Sequence, residues 1–567
     1  MHYHWLSVLF VLTLAPVAGL ATPLAQLWDD RSVKHAWNAV PDNWESLGPP
    51  PPGTTIDLYV ALQPQNENAL IEALYAVSTP RHPKYVLFNT PPRTMYYLCV
   101  PLLRCRYGAH LSKEEIAKLV EPHPDTLELV HSWLAHHDIQ SSSISTTHGG
   151  NWLTVTGVPV SQANELLGAS YRLYQHVGTN DTILRTVGYA LPTVLHAHVQ
   201  TVAPTTFFAS PRTLWQTPHR HSAEAAEALA KAASKEPVSV LSRREEFEPP
   251  SDANGVTPEF LHWLYKTSAY VPAATGKNSL GIAGFGQEYP SYSDLELFMS
   301  VFLNGKEDAT FSVEEVNGGL FDPSLPGIEA NLNVQYTQAM AYPTPHIFYT
   351  IGGRIRWSGP YGEPDPSDST LVWLSYLIHK RIIPRTISLS YGAYEVEMPP
   401  EYARGLCYLY AQLGARGVSI LFASGDRGVG PGACEDGSGG VQFMPMFPAT
   451  CMCGVLSLCG QHTNAVASRL PHRHGFVGPY ITSVGGTTKS LPEIAAPLSG
   501  GGFSNYFLRP EYQDRDVPDF FKRLGGKYKG LYKCVFCRGL FLLCNFVICA
   551  ALTAAGYPTS HRRRSTS

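Results

Sequence analysis

The chain has 567 residues, a formal charge of −4 and 16% charged residues. That length gives room for two or three domains with complete apolar cores, and so slight an acidic balance gives no reason to expect nucleic acid as a partner. Composition excludes a disordered or fibrous chain and reads as globular, with 44% apolar residues.

Taken in chain order, residues 1–21 read as a secretory signal. An apolar run from Leu6 to Leu14 precedes Pro16 and small residues at Gly19 and Ala21. The run is too short to cross a bilayer, so the expected destination is secreted, extracellular. Residues 22–210 alternate strand-like runs (56–62, 152–158) with amphipathic helical stretches (113–120, 127–136, 161–167), the pattern of an α+β domain. Asn180-Asp181-Thr182 is a glycosylation sequon within it. Residues 211–255 read as an exposed linker, rich in Ala, Glu, Lys, Arg and Pro from His219 to Asn254, with Arg243-Arg244 as a candidate cleavage site.

From residue 256 the pattern changes. Short apolar runs at 279–285, 346–351, 386–390, 418–423 and 480–484 alternate with helical stretches such as 401–414. Strands apolar on both faces belong in the middle of a parallel sheet covered by helices, so an α/β three-layer domain is expected over 256–533. Of eleven cysteines only Cys407, Cys434 and Cys451 lie outside three segments foreign to this pattern, and a Cys434–Cys451 bridge is expected.

Glu329 and Asn333 stand four residues apart, on one face of a helix, and Asp426 stands at a strand-to-loop junction from which it can face the same cleft. Taken singly, Glu329 would pass for a helix-surface glutamate, and Asp426 for a turn residue after a buried strand. Trp373 and Tyr391 read as core aromatics.

Several segments together resemble the sedolisins, the serine-carboxyl peptidases, and most of all the secreted fungal tripeptidyl peptidases. They are Ile282-Ala283-Gly284-Phe285, Gly327-Ile328-Glu329-Ala330-Asn331-Leu332, Ser390-Tyr391-Gly392, Ser424-Gly425-Asp426-Arg427-Gly428, Phe447-Pro448-Ala449-Thr450-Cys451 and Ser483-Val484-Gly485-Gly486-Thr487-Thr488. Ser78-Thr79-Pro80-Arg81-His82-Pro83 and Gly108-Ala109-His110-Leu111-Ser112 resemble pieces of the family's pro-activation domain. The resemblance implies a subtilisin-like peptidase domain preceded by a ferredoxin-like α+β prodomain, in a zymogen that acts on peptide or protein substrates. It further implies a Ser-Glu-Asp triad, with Glu329 as general base and Asp426 as oxyanion partner. A carboxylate base works best in acid, where a protonated Asp also donates to a developing oxyanion, so an acidic working range follows.

The chain departs from that pattern in three ways. Asn333 stands where the family has Asp, and an amide carries no charge to polarise the glutamate. The family's Gly-Thr-Ser-Ala-Ser, which holds the nucleophile, and the Ca²⁺ site that follows it do not occur in these residues, so the peptidase domain reads as C-terminally incomplete. Lastly, segments 86–107, 452–478 and 534–567 interrupt or replace the family's sequence and are expected to be translated intron. As written, the chain is expected to be inactive and to fold poorly.

Other readings attach to the same segments. Cys453, Cys459, His462, His472 and His474 beside Cys451 fit no regular zinc spacing. Residues 535–555 approach the length of a membrane span but contain Arg538 and three cysteines, and a membrane partner is not expected. The alternative to a peptidase is a non-catalytic pseudopeptidase whose prodomain binds or inhibits an active relative.

Overall fold

A computed structural model describes residues 24–78, 108–209, 256–353, 368–429, 443–451, 480–532 and 545–546, with short breaks inside these stretches. The expected signal (1–21), the linker, insert 86–107, insert 452–478 and nearly all of 534–567 lie outside the described residues.

The N-terminal unit is built on β1 (Thr55–Leu62), β2 (Ile144–Thr146), β3 (Trp152–Pro159) and β4 (Val199–Ala203). They form an antiparallel sheet in the order β2-β3-β1-β4. Helices α1 (Glu67–Ser78), α2 (Lys113–Val120) and α3 (Pro124–His136) link β1 to β2, and α4 (Val160–Leu167) follows β3 directly. The start of α2 is written locally. Ser112 accepts from the N–H of Glu115, and the Glu115 carboxylate accepts from the N–H of Ser112, so two donors at the helix end are satisfied reciprocally.

Alternation along β1 sends Ile56, Leu58, Val60 and Leu62 into a core with Trp133, Leu153 and Val155. The opposite face, with Ala61 and Trp152, joins α1 and α2 in a second core that continues into the C-terminal unit.

That unit contains β5 (Leu280–Gly284), α5 (Tyr292–Phe302), β6 (Phe311–Val316), α6 (Ile328–Ala341), β7 (His346–Ile351), α7 (Ser369–His379), β8 (Thr386–Leu389), α8 (Pro400–Ala415), β9 (Ser419–Ala423) and β10 (Ile481–Val484). The six strands form one parallel sheet in the order β6-β7-β5-β8-β9-β10. Only β6 escaped the sequence reading. It lies at the sheet edge, and Glu314 and Glu315 break its apolar run. Glu314 is held there by an ion pair with Lys380 and by the Tyr376 hydroxyl at 2.9 Å.

Coverage of both faces fails at the other end of the sheet. Ile420 and Phe422 of β9 are buried, but Leu421, like Val484 of β10, is more than a third exposed. Among the described residues that side of the two strands is open.

The units meet on α8. Leu70, Leu74, Trp152 and Phe207 share one core with Leu406, Leu409, Tyr410 and Leu413, and the Phe207 and Tyr402 rings lie 5.2 Å apart. Full burial of side chains of this kind contributes roughly 1.5–3 kcal/mol each. Arg185 is buried, donates to Phe207 O at 2.8 Å, and acts by charge on the buried Asp368, which takes the Tyr402 hydroxyl.

The expected Cys434–Cys451 bridge is corrected by the structure: Cys451 pairs with Cys407, on α8. Both are fully buried, and the helix brings a cysteine distant in sequence beside Cys451. A Cys451 so paired is no zinc ligand.

Candidate active site

The order of the parallel sheet fixes where a cleft forms. The chain leaves β5, builds β6 and β7 on one side, then crosses to build β8 on the other. A crevice opens at the carboxyl ends of strands where the order reverses in this way. Glu288 follows β5, and Ser390-Tyr391 follows β8. The rings of Phe285 and Tyr391 are 5.1 Å apart, so the two strand ends converge.

Helix α6 projects its first turn into this region. Its N-cap, Gly327, has no side chain to accept from the helix end. Glu288 supplies that acceptor from outside the helix: the N–H of Glu329 donates to Glu288 Oε2 at 3.2 Å. Glu329 is buried, and one turn later Asn333 is half-buried, with Ser390 Oγ donating to its Oδ1 at 3.5 Å. Asn331 locks the same turn to α5 by donating to Asp294 Oδ2 at 2.7 Å and accepting from the N–H of Ser291 at 2.8 Å. The Tyr391 hydroxyl is held far above its usual range by burial, and further by the charges of Glu329 and Glu288. Two carboxylates therefore bear on one buried phenol.

Asp426 is exposed, in the loop that follows β9. Leu389 of β8 pairs with Phe422 of β9, so Ser390 and the Asp426 loop leave the sheet by the same edge on neighbouring strands. Gly425 has φ +108°, a conformation that favours glycine and turns the chain sharply before Asp426. The loop is bound along its length: Ser424 N–H donates to Val484 O at 2.9 Å, Gly500 N–H to Gly425 O at 2.9 Å and Gly428 N–H to Leu498 O at 2.8 Å. Gly500 lies so close that a Cβ there would overlap Ser424 O.

The structure thus joins Asn333 to Ser390 and sets Asp426 on the adjacent strand end. Trp373 is core, packed edge-on against Phe285 and Tyr349. Sequence reasoning missed Glu288, whose signal was an acidic residue four positions beyond the end of an apolar strand. Among the described residues no group of three His, Cys, Asp or Glu side chains gathers as around a metal ion.

A family profile described as "Pro-kumamolisin, activation domain" matches residues 42–95 and 104–208, and its break falls inside segment 86–107. Tripeptidyl-peptidase SED2 of Arthroderma otae is 30% identical over 533 residues, 92% of this chain and 78% of that protein. The chain belongs to the sedolisin family. A second relative, the probable tripeptidyl-peptidase SED2 of Arthroderma benhamiae, is 31% identical to this sedolisin-family chain, over 92% of it and 78% of the relative. A solved structure of Pseudomonas sedolisin, a serine-carboxyl proteinase complexed with two molecules of pseudo-iodotyrostatin, is 19% identical, covering 46% of this chain and 66% of its own. Its TM-score of 0.30 is too low to bear on the geometry described above.

Proposed function

We propose that this sedolisin-family chain derives from a secreted, prodomain-bearing acid peptidase that releases tripeptides, with Glu329 as general base and Asp426 as oxyanion partner. In that mechanism a serine hydroxyl attacks the peptide carbonyl carbon and its proton passes to Glu329. Asp426, protonated in acid, donates to the oxyanion, and Glu329 returns the proton to the leaving amine. The observation that carries the reading is the burial of Glu329 in the first turn of α6, at the carboxyl edge of the sheet, with Asn333 one turn on against Ser390. The names of the relatives support tripeptide release.

On this reading the 567 residues are inactive by themselves, since no Gly-Thr-Ser-Ala-Ser segment occurs among them. The purified chain, assayed on tripeptide-linked chromogenic amides between about pH 3 and pH 7, is expected to give no turnover. Turnover by the unmodified chain overturns the inactivity. Transcripts that skip 86–107, 452–478 and the segment after Tyr532, and then continue into Gly-Thr-Ser, would mark the three segments as intron. Transcripts containing all three would reject that origin.

A second reading rests on the nearly complete activation domain, matched over residues 42–95 and 104–208. It makes the chain a binder of an active relative rather than a catalyst. Inhibition of a tripeptidyl peptidase by the full chain at sub-micromolar concentration would favour it, and no inhibition would remove it.

A further inference from the structure

A buried carboxylate stands behind the loop that flanks Asp426. Glu395, just after the short strand Ala393–Tyr394, has no exposed surface. Both its oxygens are engaged by one distant segment: Ser504 Oγ donates to Oε1, and the N–H of Asn505 donates to Oε2 at 2.5 Å. Ser504 Oγ in turn accepts from the N–H groups of Tyr506 at 3.1 Å and Phe507 at 2.9 Å, so the carboxylate pins a turn over residues 504–507.

Just before that turn, the same segment runs along the Asp426 loop through Leu498 O, Gly500 N–H and Ser499 Oγ, the last lying 3.4 Å from Ser424 Oγ. Its far end is held by Phe503 and Phe507, each in an apolar cluster, and by the Tyr506 hydroxyl, which donates to Met398 O at 2.9 Å. A buried carboxylate is costly unless its hydrogen bonds are made, and here the donors to both its oxygens lie on this one segment.

We propose that Glu395 is a positioning residue for Asp426: it anchors residues 498–505 as a backrest that fixes the loop 424–428. The assignment rests on the reading of Asp426 as the oxyanion partner. The groups facing Glu395 are Ser504, Asn505, Thr450 and Tyr506. The Tyr506 phenol is itself raised, first by burial, then by Glu395 and Glu401, with Arg404 opposing. Burial pushes the Glu395 carboxyl up to about 7, against the pull of its donors. The folded state therefore binds the proton more tightly than the unfolded chain. The anchor is strongest in the neutral acid, tightening as pH falls through about 7.

Hydrogen–deuterium exchange of the full chain, read by peptide at pH 5 and pH 8 and corrected for intrinsic rate, tests this. In the unmodified chain, protection of 424–429 and 496–505 should rise at the lower pH. Glu395→Gln, neutral and of the same shape, should lose that rise in 496–505, while 424–429 keeps the part due to Glu397, which burial also raises to about 7 and which faces Arg427. Glu395→Ala should lose about tenfold protection in both peptides while 55–62 stays unchanged. Unchanged exchange of 424–429 in Glu395→Ala, or loss spread evenly over 55–62 and 280–284, overturns the proposal. If Glu395→Ala does not fold, Ser504→Ala removes one donor and should loosen the same two peptides about threefold, and no loosening there counts against the proposal. Asp426→Asn, which tests the oxyanion reading by assay in an active relative, leaves these exchange results standing.

Discussion

The backbone N–H of Glu329 donates to Glu288 Oε2 at 3.2 Å, so a carboxylate 41 residues upstream caps the helix that carries the candidate base. An acceptor with negative charge at a helix N-terminus satisfies an orphan donor and complements the helix dipole. Glu288→Ala is expected to cost about 1 kcal/mol of stability, and Glu288→Gln, which keeps an acceptor, about half of that. Urea unfolding of the two variants beside the unmodified chain measures both.

Cys407 and Cys451 tie α8 to the loop after Pro448 across a separation of 44 residues. Non-reducing peptide mapping should recover the Cys407–Cys451 pair and no Cys434–Cys451 pair. Replacing both cysteines by Ala should cost about 3–4 kcal/mol, read as a shift in denaturation midpoint.

Burial holds the imidazole of His346 below its ordinary range, against the hydrogen bond of its Nδ1 to Thr344 O at 2.7 Å. A base whose pKa is lowered on folding takes stability away as pH falls through the unfolded value, since the unfolded chain protonates first. His346→Asn keeps a donor toward Thr344 O and removes the titration. Between pH 7 and pH 5 the unmodified chain should lose about 1 kcal/mol more than this variant in unfolding experiments.

Gly500 has no room for a side chain against Ser424. Gly500→Ala should displace the Asp426 loop and cost about 1–3 kcal/mol, measured by thermal unfolding.

Ser390 Oγ reaches Asn333 Oδ1 at 3.5 Å. Asn333→Asp places a charge where the family carries one and should strengthen that hydrogen bond. On the proposed reading, in which the chain has no Gly-Thr-Ser-Ala-Ser nucleophile, the substitution alone should produce no turnover on tripeptide amides.

Much of the fold was legible because it is local. The capping box from Ser112 to Glu115 and the apolar run His346–Ile351 declare a helix start and a buried strand whatever surrounds them. The strand Phe311–Val316 was not legible, because Glu314 is made tolerable by Tyr376 and Lys380, which lie 62 and 66 residues away. Cys407 hid for the same reason. Its partner is chosen by how α8 packs, and no spacing rule reaches across that distance. Glu329, Asn333 and Asp426 were singled out by motif, whereas nothing local pointed to Glu288 or Glu395, whose hydrogen bonds go to backbone or side chains remote in sequence.

The alternation of helix and strand, the change of pattern at residue 256 and the membership in a peptidase family can be read from neighbouring residues alone, because periodicity and short motifs are local properties. Tertiary structure alone decided the rest: the order of the parallel strands, the pairing of Cys407 with Cys451, the cap that Glu288 puts on α6 and the segment that Glu395 holds behind Asp426. Each of these joins groups tens of residues apart, and the packing of the sheet and helices determines which of them meet.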